Sequence, residues 1–251
     1  DDVSSEVLYQ ELILNTALFG GKVDLATGVN YFHEDSESPR QQTLTRWGSS
    51  TFSPQAANGN AGGPFRTTGD GLLEQTTSAY GIFASATWHI TDKLNFTGGG
   101  RYSYDEKYYL ATRFPQVDFV PAPGTTSTTV TTKKDWDAFD WRATLDYTFV
   151  PGIMAYGTVS KAHKAGAIAY TMLQRVPGDQ QSGDFIPALP PEEVVNYELG
   201  MRMTFLNNRL RLNVAAFYYD YQNLQVSVAA GGGGQVFKNA AAENYGLDAG
   251  L

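Results

Sequence analysis

The chain has 251 residues, enough for one large all-β domain or two small ones. Hydrophobic residues make up 42%, too many for a disordered chain, and 26 acidic against 18 basic residues give a net charge of −8, which argues against nucleic acid as a partner. Cysteine is absent, so disulfides and cysteine-based zinc sites are excluded.

No run reaches the roughly 18 apolar residues of a transmembrane helix. A membrane barrel stays open, because its strands show only alternation over about 10 residues. Helical periodicity is nearly missing, and period-two alternation recurs instead.

The alternation predicts nine strands. The first covers about 6–14. The second covers 22–34, with Val23, Leu25, Val29 and Tyr31 on one face. The third, 77–90, aligns Tyr80, Ile82, Ala84, Ala86, Trp88 and Ile90. Strand four, 94–109, aligns Leu94, Phe96, Gly98, Gly100, Tyr102 and Tyr104. Strand five, 136–149, aligns Phe139, Trp141, Ala143, Leu145, Tyr147 and Phe149. A sixth strand covers about 153–165 and alternates less cleanly. The seventh, 193–206, aligns Val195, Tyr197, Leu199, Met201, Met203 and Phe205. The eighth begins after Asn207–Asn208 and runs to about 228, with Leu210, Leu212, Val214, Ala216 and Tyr218 together. The ninth, about 243–251, holds Tyr245, Leu247, Ala249 and Leu251.

Connections alternate in length. Short ones are "NTALFGG", "TDK", "PG" and "LNN". Long ones span 35–76, 110–135, 166–192 and 229–236, and are rich in turn-forming residues. A loop of about 40 residues counts against a compact soluble domain and suits the outer side of an outer-membrane barrel.

Alternation alone leaves two readings of the apolar faces: half of a soluble core, or a lipid-facing wall. With the long loops outside, aromatic residues collect at both ends of the apolar face, and Ala, Gly, Leu, Val and Met fill its middle. Tyr80 to Trp88 is eight steps, which at a tilt near 40° rises roughly 21 Å, close to the ~25 Å apolar band of a barrel. Amphipathic rings favour the headgroup zone, whereas a sandwich core gives no reason to sort aromatics by height. The opposite face mixes both charge signs: Arg101 and Asp105, Asp140, Arg142 and Asp146, Glu198 and Arg202, Arg209 and Arg211. The expected fold class is therefore all-β, an antiparallel transmembrane barrel with long extracellular loops and short periplasmic turns.

Four segments carry a family resemblance: "AYGIFASATWHITDKLNFTGGGRYSYDEKYY" (79–109), "AYGTVSKAHKAGAI" (155–168), "PEEVVNYELGMRMTFLNNRLRLNVAAFYYDYQNLQV" (191–226) and "NAAAENYGLDAGL" (239–251). They resemble barrel hairpins of TonB-dependent outer-membrane receptors, the third most specifically. Ala162 and His163 depart from the family's glycine and aromatic, and Asp248 and Gly250 from its glutamates. The resemblance implies a 22-stranded barrel around an N-terminal plug, energised import of a scarce solute, and the bacterial outer membrane as location. A ferric siderophore or similar iron complex is the first expectation for the cargo. On this reading residues 1–251 are a partial barrel domain, about nine strands, with the plug and the C-terminal strands lying elsewhere. Implied partners are the TonB complex through that plug, a small-molecule cargo such as a metal chelate, and outer-membrane lipid and lipopolysaccharide. A passive porin-like barrel and a soluble β-sandwich binding module are the alternatives.

No catalytic residues, cofactor or metal site are expected, and the protein reads as a transporter rather than an enzyme. His33, His89 and His163 share no ligand spacing, "GGGGQVFKN" has no Lys-Ser/Thr at P-loop spacing, and no G-x-S-x-G elbow occurs. Parity selects Arg101, Arg142, Glu198, Arg202 and Arg211 as lumen-facing candidates for contact with plug or cargo.

Overall fold

A computed structural model describes residues 3–46, 65–117, 120–121, 128–168, 188–207, 209–230 and 234–251. Among these residues every regular element is a strand: β1 (Ser4–Leu18), β2 (Val23–Arg46), β3 (Phe65–His89), β4 (Leu94–Val117), β5 (Val120–Pro121), β6 (Thr128–Val150), β7 (Ile153–Lys164), β8 (Ala167–Ile168), β9 (Ala188–Leu189), β10 (Glu192–Phe205), β11 (Leu210–Ala230) and β12 (Gly234–Gly250). The nine long strands form one antiparallel sheet in the order β1-β2-β3-β4-β6-β7-β10-β11-β12, with β5 added to β4 and β8 paired to β9. Each long strand pairs with its sequence neighbour, the meander an up-and-down barrel requires. Among the described residues β1 does not pair with β12, so the sheet is open.

All nine expected strands are present, but the long connections are shorter than expected. β2 and β3 stay paired as far as Arg46↔Phe65, so 35–46 and 65–76 are ladder. β4 and β6 stay paired to Arg113↔Thr128, and β11 and β12 to Ala230↔Gly234. Residues 169–187, the middle of the expected 166–192 loop, lie outside the described residues. The physical reason for the extension is that water wets both faces of a strand beyond the membrane. Apolar alternation is then no longer required, and threonine-rich runs such as Thr128–Thr132 pair through the backbone, β-propensity and side-chain bonds such as that of Thr129 to Thr112 at 3.1 Å.

Registers put every apolar parity on one face. Val29 meets Ile82, Ile82 meets Tyr102, and Tyr102 meets Phe139. Tyr197 meets Tyr218, which meets Tyr245. Val29, Ile82, Tyr102, Phe139, Tyr197 and Tyr245 are exposed, as are Leu199 by 69% and Leu247 by 80%, so nothing among the described residues covers this face.

The strand tilt follows from one row of partners. Leu25, Ala86, Gly98, Ala143, Val159 and Tyr197 are successive neighbours on β2, β3, β4, β6, β7 and β10. The row starts in the middle of the β2 face and ends at the aromatic edge of β10. On β2 that edge is Tyr31, six residues beyond Leu25. Six residues span about 20 Å along a strand and five strand steps about 24 Å across the sheet. A level girdle through Tyr31 and Tyr197 therefore tilts the strands by about 40°, inside the range for membrane barrels. The other edge keeps its distance: Tyr80 and Trp88, Tyr104 and Phe96, Phe139 and Tyr147, and Tyr197 and Phe205 are each eight residues apart.

The β10–β11 turn sits at that second edge. Leu206 and Asn207 adopt left-handed φ of 54° and 55°, and the Arg209 amide donates to the Leu206 carbonyl at 3.3 Å. Asparagine tolerates this conformation, which makes "LNN" a readable turn.

Candidate functional site

The face opposite the apolar one is a polar wall. Side chains of the same parity meet across strands as neighbours. Thr87 bonds Thr97 at 2.9 Å and Thr144 bonds Thr158 at 2.9 Å. Nearer the short turns, Asp24, His89, Asn95 and Asp146 form a chain across β2, β3, β4 and β6, with links of 2.9, 2.8 and 2.8 Å. His89 lies beyond Trp88, outside the apolar band. Its hydrogen bond to Asp24, then that to Asn95, raises its pKa above the ordinary value.

The five predicted residues all have inward parity but form no single cluster. Arg101 lies flat on the wall, its Nη2 donating to Asn30 Oδ1 and its Nε to Ser103 Oγ, both at 2.9 Å. Its guanidinium occupies the space that a side chain at Gly81 would need. Arg142 is exposed and makes no hydrogen bond or ion pair among the described residues. Its row runs through Ser160 and Asn196 to Tyr219. Asn196 Oδ1 is buried there without a partner among the described residues.

Glu198, Arg202 and Arg211 do come together. They line a concavity of about 750 Å³ with Tyr156, Asn213, Phe217, Tyr219 and Asp248. The Tyr156 hydroxyl donates to Glu198 Oε1 at 2.7 Å, and the Arg202 guanidinium lies 5.0 Å from the Tyr156 ring centroid. Gly200 makes this possible, because a Cβ there would lie 2.5 Å from Tyr156 Cζ. The patch offers two guanidiniums, a hydroxyl-bonded carboxylate and aromatic surface to whatever fills the lumen.

Two inward features were not anticipated. Phe217 and Tyr219 stack at 4.9 Å, and Tyr221 continues the ladder at 6.2 Å. The alternation in "FYYDY" sends these three rings inward and Tyr218 outward, a signal available from parity. The second is His163, which lies against Asp140 with Nδ1 2.8 Å from Oδ1. Its odd parity pairs it with Glu193 and hid this contact. Among the described residues no group of His, Asp and Glu could hold a metal ion.

A family model described as "TonB dependent receptor-like, beta-barrel" matches residues 3–251. Solved receptors share the fold. The ferric yersiniabactin uptake receptor FyuA from Yersinia pestis matches with a TM-score of 0.69 at 17% identity over 98% of this chain and 32% of its own. The ferric-catecholate import receptor Fiu from E. coli gives 0.66 at 20% identity over 98% and 35%. The siderophore receptor PiuA from Acinetobacter baumannii gives 0.63 at 17% identity over 98% and 35%. The chain thus spans about a third of the length of these receptors. With an apolar girdled face, a polar inner face and a family match over nearly its whole length, the chain belongs to the TonB-dependent receptor β-barrel family, proteins of the bacterial outer membrane.

Proposed function

We propose that this chain forms part of the wall of an active-transport receptor that takes up a ferric siderophore or similar iron complex with energy relayed by TonB. The observation that carries the reading is the polar inner wall with cations left over. Arg142 and Arg211 are exposed on it without partners among the described residues, and Arg202 reaches no carboxylate there. Water solvates these groups in the open sheet, and they stay free to bind a partner. A plug with carboxylates, or an anionic chelate, supplies the missing partners. Glu198 would meet cationic groups of the plug, and Arg101 would support the wall rather than the cargo. The siderophore receptors of similar fold support the choice of cargo class. Lipid and lipopolysaccharide would contact the outward face.

The test is uptake of a radiolabelled ferric siderophore by cells carrying or lacking the full-length gene, with and without a protonophore. Accumulation that needs both the gene and the proton gradient supports the proposal. Gene-dependent uptake that ignores the protonophore and stops at equilibrium identifies a passive porin-like barrel instead.

A further inference from the structure

The β7–β10 hairpin is interrupted at one level. Its ladder pairs Lys164 with Glu192 and resumes with Ala167 and Leu189. Between them Ala165–Gly166 and Pro190–Pro191 leave the ladder. The two prolines have no N–H to give, so carbonyls at this joint need other donors. Neighbouring strands provide them. Lys107 Nζ of β4 donates to the Gly166 carbonyl at 2.9 Å. Gln225 Nε2 of β11 donates to the Ala165 and Pro190 carbonyls at 3.2 and 3.1 Å. Gly166 rests on Trp136 of β6 so closely that any Cβ would collide with the indole.

His163 sits beneath the joint. It is 9% exposed, with Nδ1 2.8 Å from Asp140 and Nε2 3.8 Å from Asp105. Pairing of β7 with β6 ends at Trp141↔Lys161. That end frees the ring to leave the outward side of Lys161 and Glu193 and lie against the inward carboxylates. The surrounding charges define its role. Lys161 is paired with Glu193 at 2.8 Å and Lys164 with Glu192 at 2.9 Å. Asp105, Asp140 and Lys107 then carry one net negative charge, which an imidazolium cancels; Glu34 of β2 acts on Lys107 but not on His163. A neutral imidazole leaves two carboxylates facing one half-buried lysine.

We propose that His163, Asp105, Asp140 and Lys107 form a proton-dependent latch that docks the joint at 165–166 and 190–191 onto β4 and β6. Protonated His163 holds the joint down; loss of the proton releases it. The transport reading supplies only the latch's purpose, regulation beside the lumen mouth, and the chemistry stands without it. His163 lies four residues beyond Val159, the neighbour of girdle residue Tyr197 and so outside the apolar band. The Asp105 carboxylate nearby, then the hydrogen bond to Asp140, raises its pKa against the opposing effect of burial. The latch is therefore closed at mildly acid pH and opens as pH rises through that raised value.

The experiment uses the full-length receptor in lipid vesicles with a nitroxide on Ala188→Cys, scanned from about pH 6 to about pH 9. The expected spectrum is immobilised at the acid end and gains a mobile component as pH rises. His163→Gln removes the titration and leaves the label mobile throughout. Gly166→Ala keeps His163 but pushes the joint off Trp136, and also leaves the label mobile throughout. A wild-type label equally immobile across the range, or a His163→Gln curve matching wild type, overturns the latch. Uptake measured on the same proteins separates the two ideas. Normal uptake with no pH response sinks the latch alone, and a pH response without uptake sinks the transport reading alone.

Discussion

Replacing Met201 by arginine tests the depth of the apolar band. Met201 is outward, exposed, and four residues from both Tyr197 and Phe205, the two aromatic ends of β10. At a tilt of about 40°, four residues rise roughly 10 Å, so the new guanidinium starts near the midplane. An arginine at that depth of a barrel costs about 2–4 kcal/mol, falling to about 0–1 kcal/mol at the interface. Phe205→Arg is the interface control. The charge is then the same and depth is the variable, although Phe205 also loses an aromatic anchor. The assay is denaturant-titrated folding of the full-length receptor into phospholipid vesicles, followed by tryptophan emission. Met201→Arg is expected to lower the unfolding free energy by at least about 1 kcal/mol more than Phe205→Arg. Equal costs at the two sites would refute the assignment of this face to lipid and the girdle geometry with it.

Other outcomes follow from the inner wall. Gly200→Ala forces a methyl into the space of the Tyr156 ring. It should cost about 1–3 kcal/mol in the same folding assay and break the Tyr156–Glu198 bond, visible as a perturbed tyrosine absorbance. Arg101→Ala removes two hydrogen bonds to the wall and should destabilise the barrel by about 1–3 kcal/mol. Arg142→Ala should leave stability within about 0.5 kcal/mol and weaken cargo or plug binding instead, so equal stability losses would contradict this division. His89 has a raised pKa in the fold, so its stabilising contribution is complete below about pH 6.5 and is lost as pH rises through the raised value. His89→Gln should flatten that part of the stability profile; an unchanged profile would show that the Asp24–His89 contact carries no linkage.

The strands were legible because a bilayer imposes period two and sorts aromatics by height. Tyr80 through Trp88 and Tyr197 through Phe205 announce themselves in this way. The strand extensions to Arg46 and from Phe65 were not, since water on both faces removes the pattern and leaves only threonine's preference for strands. Parity placed Arg101, Arg142, Glu198, Arg202 and Arg211 on the inner wall but could not tell which would meet. The concavity shared by Glu198, Arg202, Arg211 and Tyr156 depends on the β7–β10–β11 registers, which bring together residues distant in sequence. His163 was hidden for the opposite reason: it obeys outward parity on its strand and turns inward only where β6 stops pairing.

The central claim is that one face of this sheet meets lipid and the other a polar lumen. A nitroxide scan from Tyr197 to Phe205 in the vesicle-embedded receptor tests it directly, using collision with oxygen and with a water-soluble nickel chelate. Odd positions should favour oxygen, most strongly at Met201, while even positions should not, giving a period of two with one maximum in depth. Chelate access equal at both parities, or oxygen access without a maximum near Met201, would contradict the account.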